Sequence, residues 1–168
     1  MTYHTVISSP LGGILLTADD RGLTGINFQN ARGAKNPRSG SVDSSAPFRE
    51  AASQLGAYFR GELKSFDLPL SVGGTPFQRS VWKALGDIPY GETISYRELA
   101  RRVGRPKAWR AVGAANRANP LPIVVPCHRV VGSDGRLTGY YGGIHLKEYL
   151  LKLEAAAAGA KANRRGRA

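Results

Sequence analysis

The residues best suited to chemistry lie in "LPIVVPCHRVVG", Leu121 to Gly132, which holds the single cysteine of the 168-residue chain and places His128 directly after Cys127. A thiol that gives its proton to an imidazole becomes a soft nucleophile. A lone cysteine is equally a small buried hydrophobe. Pro126 disfavours helix at Val125, so Cys127 is expected where a buried strand turns. Along an extended chain neighbouring side chains point to opposite sides, and Cys127 and His128 would then need a turn or a bridging water to exchange a proton. Further on, "GGIHLKEYLLKLE" sets Leu146, Leu150 and Leu153 on one helical face with Glu154 beside them. That carboxylate could orient His128 and complete a Cys, His, Glu relay, or it could stand in solvent.

Several elements must hold these residues. Thr75 and Pro76 supply an N-cap and first helical position for "PFQRSVWKAL", with Phe77, Val81 and Leu85 on one face and Gly86 as the stop. Ser95 and Glu98 form an S-x-x-E capping box ahead of Leu99 and Val103, and Gly104 suits a C′ position. A second helix is predicted from near Pro106 to before Asn119 and Pro120. Two short helices joined by a tight glycine turn make a helix-turn-helix. On the second of them Ala111, Gly113, Ala114 and Ala115 are small enough for close approach to another backbone, while Arg110 and Arg117 can reach phosphate or bases. Tight packing against a core accounts for the small residues as well. It does not account for Arg101, Arg102, Arg105, Lys107 and Arg110 arriving together.

Before Thr75 the pattern changes. "YHTVIS", "GGILLTA" and "LTGINF" read as strands separated by the turn segments "SPLGG" and "DDRG", an antiparallel meander. "NARGAKNPRSGSVDSS" reads as loop, and Pro47 opens a helix with Phe48, Ala52, Leu55 and Phe59 at helical spacing and Gly61 as its end. The fold class is therefore α+β: residues 1–74 form a small N-terminal domain with a short antiparallel sheet and a helix. Residues 75–154 form a mainly helical domain with the helix-turn-helix, and 155–168 a basic, flexible tail.

Charge follows the same division. The chain carries 24 Lys and Arg against 12 Asp and Glu, a net +12, of which +1 lies before Pro76 and +11 from Pro76 onward. The tail "KANRRGRA" supplies four of those charges, and the remaining excess points to a polyanion, nucleic acid before membrane. No apolar run approaches the ~20 residues that span a bilayer, and "MTYHTVISSPLGG" lacks a basic and apolar leader, so a cytoplasmic protein is expected. A second cysteine is missing and His4, His128 and His145 have no ligand spacing, so no metal and no cofactor are expected.

Taken in order, "PFQRSVWKAL", "IPYGETISY", "WRAVG", "NPLPIVVPCHRV" and the spaced "LTGYYGG" and "KEYLLKLE" resemble the O6-alkylguanine-DNA alkyltransferases, from about Thr75 to Glu154. The first half fits that family's small, variable N-terminal domain more loosely. The resemblance implies direct reversal of DNA damage: one irreversible transfer of an alkyl group from O6-alkylguanine, or O4-alkylthymine, to Cys127. It implies His128 as the base acting through a water and Glu154 as the carboxylate orienting it. Asn119 would brace the turn that carries the cysteine, and Tyr96 would help rotate the nucleotide and donate a proton to the departing base. Arg110 would enter the stack in place of the extruded nucleotide, on a helix whose Ala111, Gly113, Ala114, Ala115 and Arg117 face the minor groove. Val130, Tyr140, Tyr141 and Lys147 would line or neighbour the base pocket. The implied partner is double-stranded DNA containing alkylated bases, bound by a monomer without membrane association.

Two residues depart from the family pattern. Trp109 stands where a small residue commonly precedes the arginine, and Tyr141 stands where a small one rims the pocket; the second predicts preference for methyl over bulky lesions. The rival reading of the same fold is a non-catalytic protein that binds alkylated DNA, which the presence of Cys127 opposes. A thiol hydrolase or transferase acting on small molecules would leave the helix-turn-helix and the basic half unused.

Overall fold

The computed structural model describes residues 1–140 and 142–166, with side chains up to residue 159. The chain forms two units, Met1–Gly73 together with Pro120–Val124, and Gly74–Asn119 together with the residues from Val125 onward. The return of Pro120–Val124 to the first unit is a feature that the sequence divisions at 74/75 and 154/155 do not contain.

In the first unit, β1 (Thr2–Ile7), β2 (Ile14–Asp19) and β3 (Gly22–Phe28) form the expected antiparallel meander. Its turns follow from local chemistry. Ser9 and Gly12 exchange backbone hydrogen bonds of 3.1 and 3.0 Å, with Gly12 at φ 88°, while the Asp19 carboxylate accepts from the amides of Arg21 and Gly22. Ile14, Leu15 and Leu16 are all buried, which makes β2 the centre of the core. A short strand β4 (Val42–Asp43) pairs parallel to β1, giving the order β3-β2-β1-β4. Sequence composition assigns that stretch to loop. Two residues paired at a sheet edge leave no periodic signal.

The helix expected from Pro47 begins as a 3₁₀ turn, Ala46–Phe48, and continues as α1 (Arg49–Phe59). Because of that tighter entry the buried face is Ala51, Leu55 and Tyr58 rather than Ala52 and Phe59. Pro120–Val124 joins this unit through a 2.9 Å bond from the Ile26 amide to the Pro120 carbonyl, with Leu121 and Ile123 buried.

The second unit holds α2 (Pro76–Gly86), β5 (Ile94–Ser95), α3 (Tyr96–Arg102), α4 (Trp109–Arg117), β6 (Val130–Val131) and α5 (Ile144–Gly166). Thr75 caps α2 in a reciprocal box with Gln78, and Val81, Trp82 and Leu85 are its buried face. Ser95 caps α3 by accepting from the Glu98 amide at 3.0 Å, and Gly104 follows the helix at φ 74° as a C′ residue. The second helix of the pair starts at Trp109, three residues later than Pro106, because Arg105 to Ala108 close a turn through a 2.9 Å backbone bond first. α2 and α3 both pack on α4. The indole Nε1 of Trp82 donates to the Ala115 carbonyl at 2.8 Å.

β5 pairs in parallel with β6, Ile94 with Val130 and Ser95 with Val131. This pairing fastens the start of α3 to the chain leaving Cys127. Residues 155–166, expected as a tail, continue the backbone of α5; Ala155 to Ala158 have the highest helix propensity available. Residues 167 and 168 lie outside the described residues. Among the described residues no helix is long and apolar enough to cross a membrane.

Candidate active site

The chain enters the site from Asn119, whose side-chain Nδ2 donates to the Val125 carbonyl at 2.8 Å. The same carbonyl accepts from the Cys127 amide at 2.8 Å, and the Arg129 amide bonds to Pro126 at 3.1 Å. The result is a 3₁₀ turn over Cys127–Arg129 leading into β6. With three residues per turn, successive side chains splay by about 120° instead of opposing each other. This removes the objection to adjacent Cys and His that an extended chain raises.

All three turn residues are buried, and each has a distinct environment. The imidazole Nε2 of His128 meets Glu154 Oε2 at 2.5 Å. Glu154 is completely buried, so the solvated alternative for it is excluded. Its Oε1 accepts from Arg129 Nε at 2.8 Å and from the Gly91 amide at 3.1 Å, while Arg129 Nη2 reaches Oε2 at 3.2 Å. Arg129 Nη1 also donates to the Ile88 carbonyl at 2.7 Å. The carboxylate is thereby held by a fork of charge-assisted bonds, the condition under which a buried ion pair is tolerated.

Arg129 and Gly91 are the partners that the sequence analysis misses. The signal was available in part. A carboxylate four residues beyond Leu150 on the apolar face of α5 demands a buried cation, and the turn that carries His128 offers one in the next residue.

Electrostatics fixes the resting protonation. Burial pushes the Cys127 thiol up to about 11, against hydrogen bonds from Asn119 and Tyr140 and the charge of Lys147, which lower it. Burial also holds His128 below the ordinary imidazole range, although the bond to Glu154 works the other way. At neutral pH the pair is therefore a thiol and a neutral imidazole. With Nε2–H donated to Glu154, the basic lone pair is on Nδ1, which is buried and has no hydrogen-bond partner among the described residues. Lys147, fully buried, donates to the carbonyls of Val130 at 2.5 Å and Thr138 at 3.1 Å, and burial brings it down to about 8.

Around this centre stand the other expected residues. Tyr96 Oη donates to the Thr138 carbonyl at 3.2 Å, and Lys147 Nζ lies 5.8 Å from the Tyr96 ring centre. Tyr140 is buried beside the thiol. Tyr141, expected at the pocket rim, lies outside the described residues. Cys127, His128, Glu154, Asn119, Tyr96, Val130, Tyr140 and Lys147 thus gather around one turn.

The residues of α4 divide between two faces. Arg110, Ala111, Ala114 and Arg117 are exposed, whereas Val112, Gly113, Ala115 and Asn116 are buried. Close approach from outside is therefore available at Ala111 and Ala114 only. Gly113 and Ala115 serve packing instead: a Cβ at Gly113 would lie 3.7 Å from the Tyr96 ring. Arg110 stacks 5.0 Å from the ring centre of half-exposed Trp109, and Arg97 of α3 lies 5.6 Å from the same ring. Arg101 and Arg102 both pair with Glu98, at 2.6 and 3.3 Å, and so spend part of their charge inside α3. Asn116, another residue missed from sequence, turns inward and donates from Nδ2 to the Cys127 carbonyl at 3.4 Å.

Comparison with known proteins gives this arrangement a lineage. Residues 76–156 match the family model described as 6-O-methylguanine DNA methyltransferase, DNA binding domain, and residues 2–72 match the ribonuclease-like domain of the same description. A methylated-DNA–protein-cysteine methyltransferase of Methanosarcina barkeri is 53% identical over 90% of this chain and 96% of its own length. One of Mycobacterium tuberculosis is 48% identical over 94% and 95%. The crystal structure of Mycobacterium tuberculosis OGT in complex with DNA superposes with a TM-score of 0.86 at 46% identity, covering 92% of this chain and 94% of that one. With its buried Cys-His-Glu turn and its helix-turn-helix in one unit, the chain belongs to the 6-O-methylguanine DNA methyltransferase family.

Proposed function

We propose that this chain repairs DNA by taking the alkyl group of O6-alkylguanine, and of O4-alkylthymine, onto Cys127, once per molecule. The observation that carries this reading is the wholly buried sequence Cys127, His128, Glu154, with Arg129 locking the carboxylate. Glu154 holds His128 in the tautomer whose Nδ1 is a base. Through a water, Nδ1 takes the thiol proton, and the thiolate then attacks the alkyl carbon: the S–C bond forms as the C–O bond breaks, and the electron pair leaves with the base. Protonation makes guanine a better leaving group, and the Tyr96 hydroxyl is the donor suited to it. A thioether has no carbonyl for water to attack, so the cysteine is not regenerated.

The lesion must leave the duplex stack to meet a buried thiol, at a cost of a few kcal/mol. The exposed face of α4 is suited to that work: Ala111 and Ala114 permit close approach in the minor groove, Arg117 reaches phosphate, and Arg110 exchanges its stack on Trp109 for the space of the extruded nucleotide. Asn119 braces the turn, and Val130, Tyr140, Tyr141 and Lys147 bound the base. The protein acts as a monomer in the cytoplasm, without a metal or cofactor.

The test is intact-mass analysis after incubation with duplex DNA containing O6-methylguanine. One methyl group per chain, mapped to Cys127, is the expected result, with Cys127→Ala binding the same DNA and gaining no mass. Repeated turnover without a mass change, or an adduct on another residue, would overturn the reading.

A further inference from the structure

Two buried acceptors at the thiol turn lack a hydrogen-bond partner among the described residues: His128 Nδ1 and Asn116 Oδ1. Both roles are fixed by neighbours. The Asn116 amide must present Nδ2 to the Cys127 carbonyl, since the flipped amide would set oxygen against oxygen. That leaves Oδ1 as an acceptor on a side chain only 2% exposed. Likewise, His128 spends its N–H on Glu154 and keeps a lone pair at Nδ1. A buried acceptor left alone costs about 1–3 kcal/mol, so each of the two calls for a donor. The thiol offers a single hydrogen.

We propose that Asn116 is a positioning residue for the reaction: its Oδ1 and His128 Nδ1 together bind one water, which receives the Cys127 proton. The inference rests on the function proposed above. Water is the one small donor with two hydrogens, one for each acceptor, and its own lone pair faces the thiol. The balance of the step is simple. As S–H breaks, its proton passes to the water oxygen, a water proton passes to His128 Nδ1, and the hydrogen bonded to Asn116 stays in place. Asn116 thus does two things. It prevents the water from turning its second hydrogen toward the sulfur, where it would compete with the thiol proton, and by accepting that hydrogen it makes the oxygen more basic. The charged and titratable groups around the thiol are His128 from the same turn, Lys147 from α5, and Tyr140 from the loop before it, with Glu154 and Arg129 behind the imidazole.

A site for water explains a choice of residue that packing alone does not. The other inward residues of α4 are Val112, Gly113 and Ala115, all of them apolar. An amide among them carries a desolvation cost that the single bond to Cys127 does not offset.

The test compares wild type with Asn116→Leu, which keeps the size and loses the acceptor, in single-turnover methyl transfer at saturating duplex from pH 6 to 10. The variant is expected to be about 10-fold slower at pH 7, the value of one buried hydrogen bond. Its deficit should shrink as pH rises and thiolate forms without the relay. An equal deficit at every pH, or none, overturns the role of Asn116. A crystal structure of the full-length wild type decides independently of how well the variant folds: an ordered water bonded to both Asn116 Oδ1 and His128 Nδ1 supports the inference, and a water on His128 alone overturns it. A wild type that gains no methyl group sinks the proposed function, whereas a methylating wild type matched by Asn116→Leu sinks this inference only.

Discussion

The turn over Cys127–Arg129 and the outer face of α4 lie in the same unit and use the same residue types in opposite ways. At the turn, Arg129 and Lys147 are buried, and their side chains donate to backbone carbonyls and to Glu154. On α4, Arg110 and Arg117 stand in solvent, Arg110 resting on an indole. A dry charge must be paired where it stands, since removing its partner costs several kcal/mol, while a wet charge keeps its hydration until a polyanion displaces it. The first arrangement fixes geometry. The second leaves free energy to be released on contact.

The largest expected effect tests the dry half. Arg129→Met leaves Glu154 buried without its fork, so urea melts should show a loss of about 3 kcal/mol, and adding Glu154→Gln should recover part of it. If Arg129→Met melts with the wild type, the turn is not held by this ion pair and the contrast with α4 collapses.

Next comes the wet half. Arg110→Ala should slow transfer from duplex DNA by about 30-fold, the equivalent of ~2 kcal/mol of extrusion cost, with reaction on the free alkylated base unchanged. Equal slowing on both substrates would remove Arg110 from base extrusion.

How much of this was legible in sequence follows the same line. Local chemistry announced itself: the Thr75 cap, the Ser95 cap, the Gly104 stop and the three strands of the meander lie where turn and cap residues put them. Cys127, His128 and Glu154 were visible as types and, with the family resemblance, as a set. What the sequence conceals is convergence across distance. Arg129 is read as one more basic residue until Glu154, 25 positions away, folds onto it. Asn116 is hidden by the same cause, because the direction an amide faces on a nine-residue helix depends on what lies beneath. The split of Ala111 and Ala114 from Gly113 and Ala115 is a matter of helical phase: Val112, Gly113, Ala115 and Asn116 share the face turned to the core.

A smaller effect links the buried thiol to stability. Between pH 9 and 11 the unfolded thiol loses its proton while the folded one, raised to about 11, keeps it. The unfolded state then binds fewer protons, so wild-type stability falls over this window as pH rises. Measured against Cys127→Ser, which cannot titrate there, the loss should reach ~1–2 kcal/mol by pH 11. Lys147, held down at about 8, is common to both proteins, and its contribution cancels apart from its charge coupling to Cys127. A constant difference from pH 9 to 11 would mean the thiol is wetter than the structure has it.

The smallest effect separates charges within the wet half. Arg117→Ala should reduce the slope of log affinity against log salt by about 0.9, the share of one phosphate contact. Arg101→Ala should change it less, because Glu98 already neutralises part of that charge. Identical slopes for the two variants would mean that α4 and α3 meet the backbone alike.

The excursion of Pro120–Val124 into the first unit bears on any attempt to dissect this molecule. Between Asn119 and Val125 the polypeptide leaves one unit, hangs Leu121 and Ile123 in the core of the other, and returns two residues before the nucleophile. A gene fragment beginning at Gly74 would carry the whole catalytic constellation and yet trail two greasy side chains with nothing to bury them. Ile123, at φ 76°, holds a backbone conformation that a β-branched residue adopts only under compulsion, and in such a fragment nothing would compel it. For expression, fusion or limited proteolysis the cut that looks natural on paper is therefore the wrong one: the two halves are laced together at the stitch nearest the sulfur.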